Sequence, residues 1–264
     1  MTLREIKRRI KSIEGTEKIT KAMSFVATVK SQKMHAEFAN AKHFFLDMEK
    51  FLEFMSCDEY NLSKEKKCLI FITSNKGLCG GYNINIGKLS KDVLSKIKAE
   101  KIIGIGNNSL AIAKKNNIEL DKFFLNRKFN IDLAEEVGDL IIDLYKNNYE
   151  VCFVYTKFYS SIKFLPVYKK ILPLKKNKRE ILFEPSKTLV VDSCIKKFVK
   201  YIAYEIILES ELCLQNARMI SMQSATDNAE DILKKLRLKY NMIRQSKITQ
   251  ELIEIISGAN SLKN

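Results

Sequence analysis

Proline is nearly missing from this chain: three residues in 264, Pro166, Pro173 and Pro185, all within one short stretch. Glycine is scarce, at nine residues, and tryptophan is absent. So few helix breakers in a chain that is 29% charged argue against a loop-rich fold and for much helix. No apolar run approaches the roughly 20 residues needed to cross a bilayer. The opening MTLREIKRRI lacks the apolar core of a signal peptide, and Glu5, Glu14 and Glu17 argue against a basic transit segment. Any membrane association is therefore expected to come through partners. The six cysteines (Cys57, Cys68, Cys79, Cys152, Cys194 and Cys213) form no CxxC pair and no zinc-like spacing. Several lie in apolar runs, which reads as reduced core thiols of an intracellular protein.

What is abundant is positive charge. The net charge is +15, from 46 Lys and Arg against 31 Asp and Glu, which favours acidic partners. The excess is spread along the chain and forms no basic tail. Without clustered Lys and Arg among aromatics, a dedicated nucleic-acid surface is not expected. Hydrophobic residues make up 46%, enough for a packed core.

The two ends read alike and the middle differs. From Thr2 to about Met55 the only breaker is Gly15. Apolar residues there fall at Ile6, Ile10, Ile13, Ile19, Met23 and Val26, then at Phe38, Ala41, Phe45, Met48, Leu52 and Met55. The second set steps by three and four, the mark of a seam on one helix face. After Pro185 neither Pro nor Gly occurs until Gly258, with Ser186 as a candidate N-cap and Gly258 as a candidate stop. Ile232, Leu236, Tyr240 and Ile243, then Ile248, Leu252, Ile255 and Ala259, form its apolar face. At 1.5 Å per residue the two helices would reach about 75–80 and 105–110 Å, the second with room for a bend near 193–200. Helices so long must pack on something extended, and an antiparallel coiled coil of the two is the economical solution.

The middle alternates strand-like and helical stretches: strands at 67–74, 101–106, 150–158 and 161–174, helices at about 84–99, 108–116 and 131–146. Pro166 and Pro173 suit an edge strand. The expected fold class is α/β with coiled coil. Long antiparallel N- and C-terminal helices form a two-helix shaft, beside a central Rossmann-like domain with a small parallel or mixed sheet. The expected divisions are 1–56 for the first shaft helix, 66–185 for the central domain and 186–264 for the second shaft helix, with 175–185 as a charged crossing.

Candidate chemistry is thin. The turn NKGLCGG at 75–81 follows a strand and precedes a helix, as a phosphate loop would, but fits neither GxGxxG nor GxxxxGK[ST]. A tight strand-to-helix turn explains its glycines. His35 and His43 stand about 12 Å apart along one helix, too far to share a metal ion. Cys79 has no histidine near it in sequence to activate it. Asp227, Glu230 and Asp231 are matched by Lys234 and Lys235 at ion-pair spacing. No catalytic, cofactor or metal residue is expected. The rival readings are a basic coiled coil that binds nucleic acid and a Rossmann-like nucleotide-binding enzyme.

Three segments carry a family resemblance. IKRRIKSIEGTEKITKAMSFVATVK at 6–30 is similar to the start of F-type ATP synthase γ subunits, whose ITxAMxxVA core appears as Ile19, Thr20, Ala22, Met23, Val26 and Ala27. TSNKGLCGGYN at 73–83 resembles the family's SDRGLCGGxN, with Asn75 and Lys76 in place of the usual Asp-Arg. Residues 217–262 resemble the family's C-terminal pattern nearly position by position, including RMxxMxxATxNA and YNxxRQxxITxEL. FEPS at 183–186 and YTKFYSSI at 155–162 have family counterparts too. The middle looks trimmed, and no cysteine-bearing insertion of the chloroplast kind is visible.

The resemblance implies a rotor shaft inside a ring of alternating α and β subunits. Its central domain would touch the ε subunit and the ring of membrane c subunits. It implies a peripheral place on the cytoplasmic face of a bacterial inner membrane, and a share in ion transport and ATP synthesis without catalytic residues or cofactors of its own. By match to family positions, Met23, Arg218, Gln245, Thr249 and Glu251 are the expected shaft-to-ring contacts. Arg8, Arg9, Lys18 and Lys21 are expected electrostatic contacts.

Overall fold

The computed structural model describes residues 2–54, 64–172 and 187–261, and within these the side chains of 43, 48–54, 187–192 and 259–261 are left out. Cys57, the 175–185 crossing, Ser186 and FEPS lie outside the described residues. The elements run α1 (Leu3–Phe54), β1 (Lys66–Ile72), α2 (Tyr82–Ile97), β2 (Lys101–Ile105), α3 (Asn108–Asn116), β3 (Lys122–Phe124), α4 (Ile131–Lys146), β4 (Tyr149–Phe158), β5 (Phe164–Leu172) and α5 (Lys187–Ser261). The fold is mixed α/β, with long N- and C-terminal helices and a central sheet. Gly15 does not interrupt α1, and α5 continues through the expected stop at Gly258. Two compact units result: residues 1–26 with 219–264, and residues 27–218.

The first unit is a helix pair. Thr2 and Glu5 begin α1 with a reciprocal cap: the Glu5 amide donates to Thr2 Oγ1 at 3.3 Å, and the Thr2 amide donates to Glu5 Oε2 at 2.9 Å. On α1 a line of buried and half-buried positions runs through Ile6, Ile10, Ile13, Glu17, Thr20 and Ser24, stepping by four and three. On α5 such a line runs through Met222, Thr226, Ala229, Leu233, Leu236, Tyr240 and Ile243, in the same rhythm. That heptad pattern is what two helices in coiled-coil contact require. Thr226 Oγ1 lies 2.8 Å from Thr20 Oγ1 in the buried seam, and Arg237 Nη2 lies 2.8 Å from Glu14 Oε1. As the number rises on one helix it falls on the other, so the pair is antiparallel. The seam differs in detail from the expected one. Ile19, Val26 and Ile232 are 62, 52 and 43% exposed, and the small or polar Thr20, Ser24, Thr226 and Ala229 take the inside places.

The second unit is built on a five-stranded sheet in the order β3-β2-β1-β4-β5, parallel except for β5. β1 is central and covered on both faces, which is why its sequence is one apolar run. Cys68, Ile70 and Ile72 face a core shared with α4 and residues 195–207 of α5. Leu69 and Phe71 face a second core with α2, Ile112 of α3, and Cys213, Leu214 and Ala217 of α5. Asn130 caps α4, its side chain accepting from the Leu133 amide at 3.3 Å. Pro166 sits on β5, the edge strand, where its missing N–H interrupts no ladder. β3 is three residues long, short enough to escape a sequence reading. Cys68, Cys79, Cys152 and Cys213 are buried free thiols, and Cys194 is a half-buried one.

Candidate functional site

The glycine turn between β1 and α2 is held by its own residues. Leu78 and Gly80 take φ of 61° and 55°, the left-handed region that suits a tight reversal. The Ser74 amide donates to Asn83 Oδ1 at 3.0 Å, and Asn83 Nδ2 donates to Ser74 Oγ at 2.7 Å and to Cys79 Sγ at 3.4 Å. The amide that a phosphate loop would offer at Ser74 is thus taken by a side chain. Asn75 replaces the family's usual Asp, and its chemistry is used: Nδ2 donates to the Arg127 carbonyl at 2.6 Å, and Oδ1 accepts from the Asn107 amide at 3.3 Å. A carboxylate could make only the second bond.

A polar relay joins that turn to α5. Glu211 Oε1 accepts from Gln215 Nε2 at 2.6 Å, and Gln215 Oε1 accepts from Arg218 Nη1 at 3.0 Å. Arg218 Nη2 then donates to the Lys76 carbonyl at 3.3 Å. Burial pushes the Glu211 carboxyl up, opposed by the Gln215 hydrogen bond and by the charges of Arg218 and Lys30. Two residues before Arg218, Asn216 is buried and accepts from Ser31 Oγ at 2.6 Å. Arg218 therefore stands in the second unit, where it ties helix to turn.

The other expected contact residues lie in the first unit. Met23 is half-buried at the side of the seam, and its neighbours Phe25 and Val26 are exposed. Gln245 is exposed, with its carbonyl accepting from Thr249 Oγ1 at 3.0 Å. Glu251 is exposed and 3.6 Å from Lys247 Nζ. Arg8, Arg9, Lys18 and Lys21 are exposed on α1. Gln245, Thr249 and Glu251 share one stretch of α5 whose apolar residues are uncovered as well: Met242 is 69% exposed, and Ile248, Leu252, Ile253, Ile255 and Ile256 are exposed with it. Sequence reading placed Ile248, Leu252 and Ile255 on an apolar face but had no means of telling that face from a covered one.

Two features went unnoticed in the sequence: the Thr20–Thr226 and Ser31–Asn216 pairs, and a buried Glu209 beside a cavity in the second unit. The pairs sit at heptad positions, so polar residues recurring at that spacing were the available signal. Glu209 has no such signal, because its burial arises from distant strands. Among the described residues no group of three or more His, Cys, Asp and Glu is placed to hold a metal ion, and no helix is long and apolar enough to cross a membrane.

Comparison with known proteins agrees with this architecture. The ATP synthase family model matches residues 2–262. The ATP synthase gamma chain of Alkaliphilus metalliredigens is 34% identical over 285 aligned positions, covering 99% of each chain. That alignment is longer than this chain, so the relative carries stretches that are missing here. The gamma chain of Clostridium perfringens is 35% identical, covering 99% of this chain and 98% of its own. Among solved structures, a chain of the Euglena gracilis mitochondrial ATP synthase (OSCP/F1/c-ring) matches with a TM-score of 0.74 at 17% identity, covering 99% of this chain and 94% of that one. A chain of the Tetrahymena thermophila mitochondrial ATP synthase central stalk and c-ring matches at 0.66 and 21% identity, covering 78% and 99%. With likeness at this level from end to end, the chain belongs to the ATP synthase γ chain family.

Proposed function

We propose that this chain is the central rotor shaft of an F-type ATP synthase, coupling proton flow through the membrane ring to ATP synthesis or hydrolysis on the β subunits. The observation that carries the reading is the uncovered apolar stretch of α5 at 242–256, in a chain that belongs to the γ family from end to end. Such a surface suits an enclosing protein sleeve. In this reading the sleeve is the ring of α and β subunits, and the sheet with its helices α2 to α4 meets the ε subunit and the ring of c subunits. The complex places the chain peripherally on the cytoplasmic face of a bacterial plasma membrane. The chain itself contributes no catalytic group and no cofactor, and it binds no nucleic acid.

Met23, Arg218, Gln245, Thr249 and Glu251 act as the shaft-to-ring contacts, with Arg8, Arg9, Lys18 and Lys21 adding charge. Met23 is the sharpest test, because it is half-buried at the seam beside exposed Phe25 and Val26. Met23→Lys puts a cation where an apolar contact with the ring is needed. In membranes carrying the assembled complex, ATP hydrolysis should persist while ATP-driven proton pumping falls severalfold. Loss of both in equal measure would remove Met23 from the coupling path.

A further inference from the structure

A cavity of about 620 Å³ opens in the second unit between α1, β4, β5 and α5. Its size is within the roughly 300–1,000 Å³ usual for small-molecule sites. Phe38, Ala39 and Leu46 of α1 and Phe158 of β4 make its apolar wall. The Phe158 ring is held edge-on by His35 and Phe38, with centroids at 5.8 and 6.3 Å. None of these residues has a part in the shaft contacts above.

The charges around the cavity are unbalanced. Glu209 of α5 is buried and lines it, with Oε1 accepting from the Phe158 amide at 2.9 Å. Its other oxygen has no protein partner among the described residues. Facing Glu209 are His35 and Lys42 from α1, Tyr155 and Lys157 from β4, and Tyr159 just beyond β4. Lys169 of β5 and Glu205, one turn earlier on α5, complete the ring and pair with each other at 3.8 Å. Lys42 and Lys157 make no ion pair among the described residues. Burial pushes the Glu209 carboxyl up to about 7. The Phe158 amide opposes this, the Glu205 charge adds to it, and Lys157 and Lys169 oppose it.

We propose that this cavity binds a small amphipathic anion: an apolar chain or ring that ends in a carboxylate. The apolar body lies against Phe38, Leu46 and Phe158, and the carboxylate meets the uncommitted ammonium groups of Lys157 and Lys42. Glu209 in its protonated form donates its O–H to the same carboxylate. A cationic ligand finds the opposite: Lys169 already occupies Glu205, and Lys42 and Lys157 repel it. Because the incoming anion favours the protonated form of Glu209, binding takes up a proton and weakens as the pH rises above about 7.

Titration calorimetry on the full-length chain tests this, with decanoate as the probe and decyltrimethylammonium as the control, at pH 6 and pH 8. Decanoate should bind saturably, roughly threefold or more tighter at pH 6 than at pH 8. Its heat at pH 7.5 should change with the ionisation enthalpy of the buffer, which reports proton uptake without any mutation. The ammonium should give no saturable heat. Lys157 is exposed, so Lys157→Glu should melt normally yet weaken decanoate binding by roughly tenfold or more. Glu209→Gln keeps an acceptor for the Phe158 amide and should bind equally at both pH values. No saturable binding of decanoate, equal binding of the ammonium, absence of proton uptake, or unchanged affinity in Lys157→Glu would each overturn the proposal. Since no step depends on the rotor reading, a failure here leaves that reading intact.

Discussion

Gly106 follows β2 with φ at +92°, and a Cβ there would run into the Thr73 carbonyl. The Thr73 amide and hydroxyl are both committed to the Ile105 carbonyl, at 2.8 and 2.9 Å, so neither strand end can yield. Gly106→Ala is expected to cost roughly 2–3 kcal/mol, combining a left-handed backbone penalty with a backbone clash. A shift of the guanidinium unfolding midpoint with an unchanged slope would measure it. Glu209 makes a second prediction at this scale. Its folded carboxyl keeps a proton up to about pH 7, whereas an ordinary one releases it near 4.5. The folded state therefore holds more protons between those values. The stabilisation is full below about pH 4.5 and lost as the pH rises through 7, a change of up to roughly 3 kcal/mol. Glu209→Gln should flatten that slope in urea midpoints taken at pH 5 and pH 8. An equal slope in the two chains would place the titrating group elsewhere.

The elements differ in how far the sequence revealed them. β1, β2, β4 and α4 were legible because each is an unbroken apolar run or a strong helical period. The helix-pair seam was legible in kind but not in residue. Isoleucine and valine marked its expected line, yet Ile19, Val26 and Ile232 are exposed and Thr20, Ser24 and Thr226 are inside. Small side chains let two helices approach, and hydrophobicity counts cannot detect that choice. The Thr20–Thr226 contact invites a double-mutant cycle, since each hydroxyl also lies near a carbonyl of its own helix, 3.0 Å to Glu17 and 2.9 Å to Met222. Thr20→Val or Thr226→Val alone should cost about 1 kcal/mol by leaving the other hydroxyl short of a partner in a buried seam. The double change, which makes the seam apolar on both sides, should cost less than the two singles together. Strict additivity in thermal melts would mean that the two hydroxyls do not act as a pair.

At the scale of the whole molecule, the sequence disclosed the family through motifs, while the exposure that gives those motifs a use had to come from the fold. Periodicity places Ile248, Leu252 and Ile255 on one helical face, and nothing local says whether that face is covered. The structure leaves them uncovered, with Met242, Ile253 and Ile256 beside them. Burying a large aliphatic side chain is worth roughly 1.5–3 kcal/mol, so half-exposed residues of this kind forgo about half of that each until a partner closes over them. The isolated chain should therefore bind an uncharged hydrophobic dye such as Nile red and self-associate as concentration rises. Replacing Leu252, Ile253 and Ile256 by Gln should remove most of the dye signal with little change in the melting temperature, because these side chains have few neighbours to lose. The same triple change should weaken assembly with the α and β subunits by tenfold or more, a factor that corresponds to about 1.4 kcal/mol. A fall in the melting temperature with assembly unaffected would show instead that the stretch packs within the chain, and the apolar end would then serve the fold and not a surrounding ring.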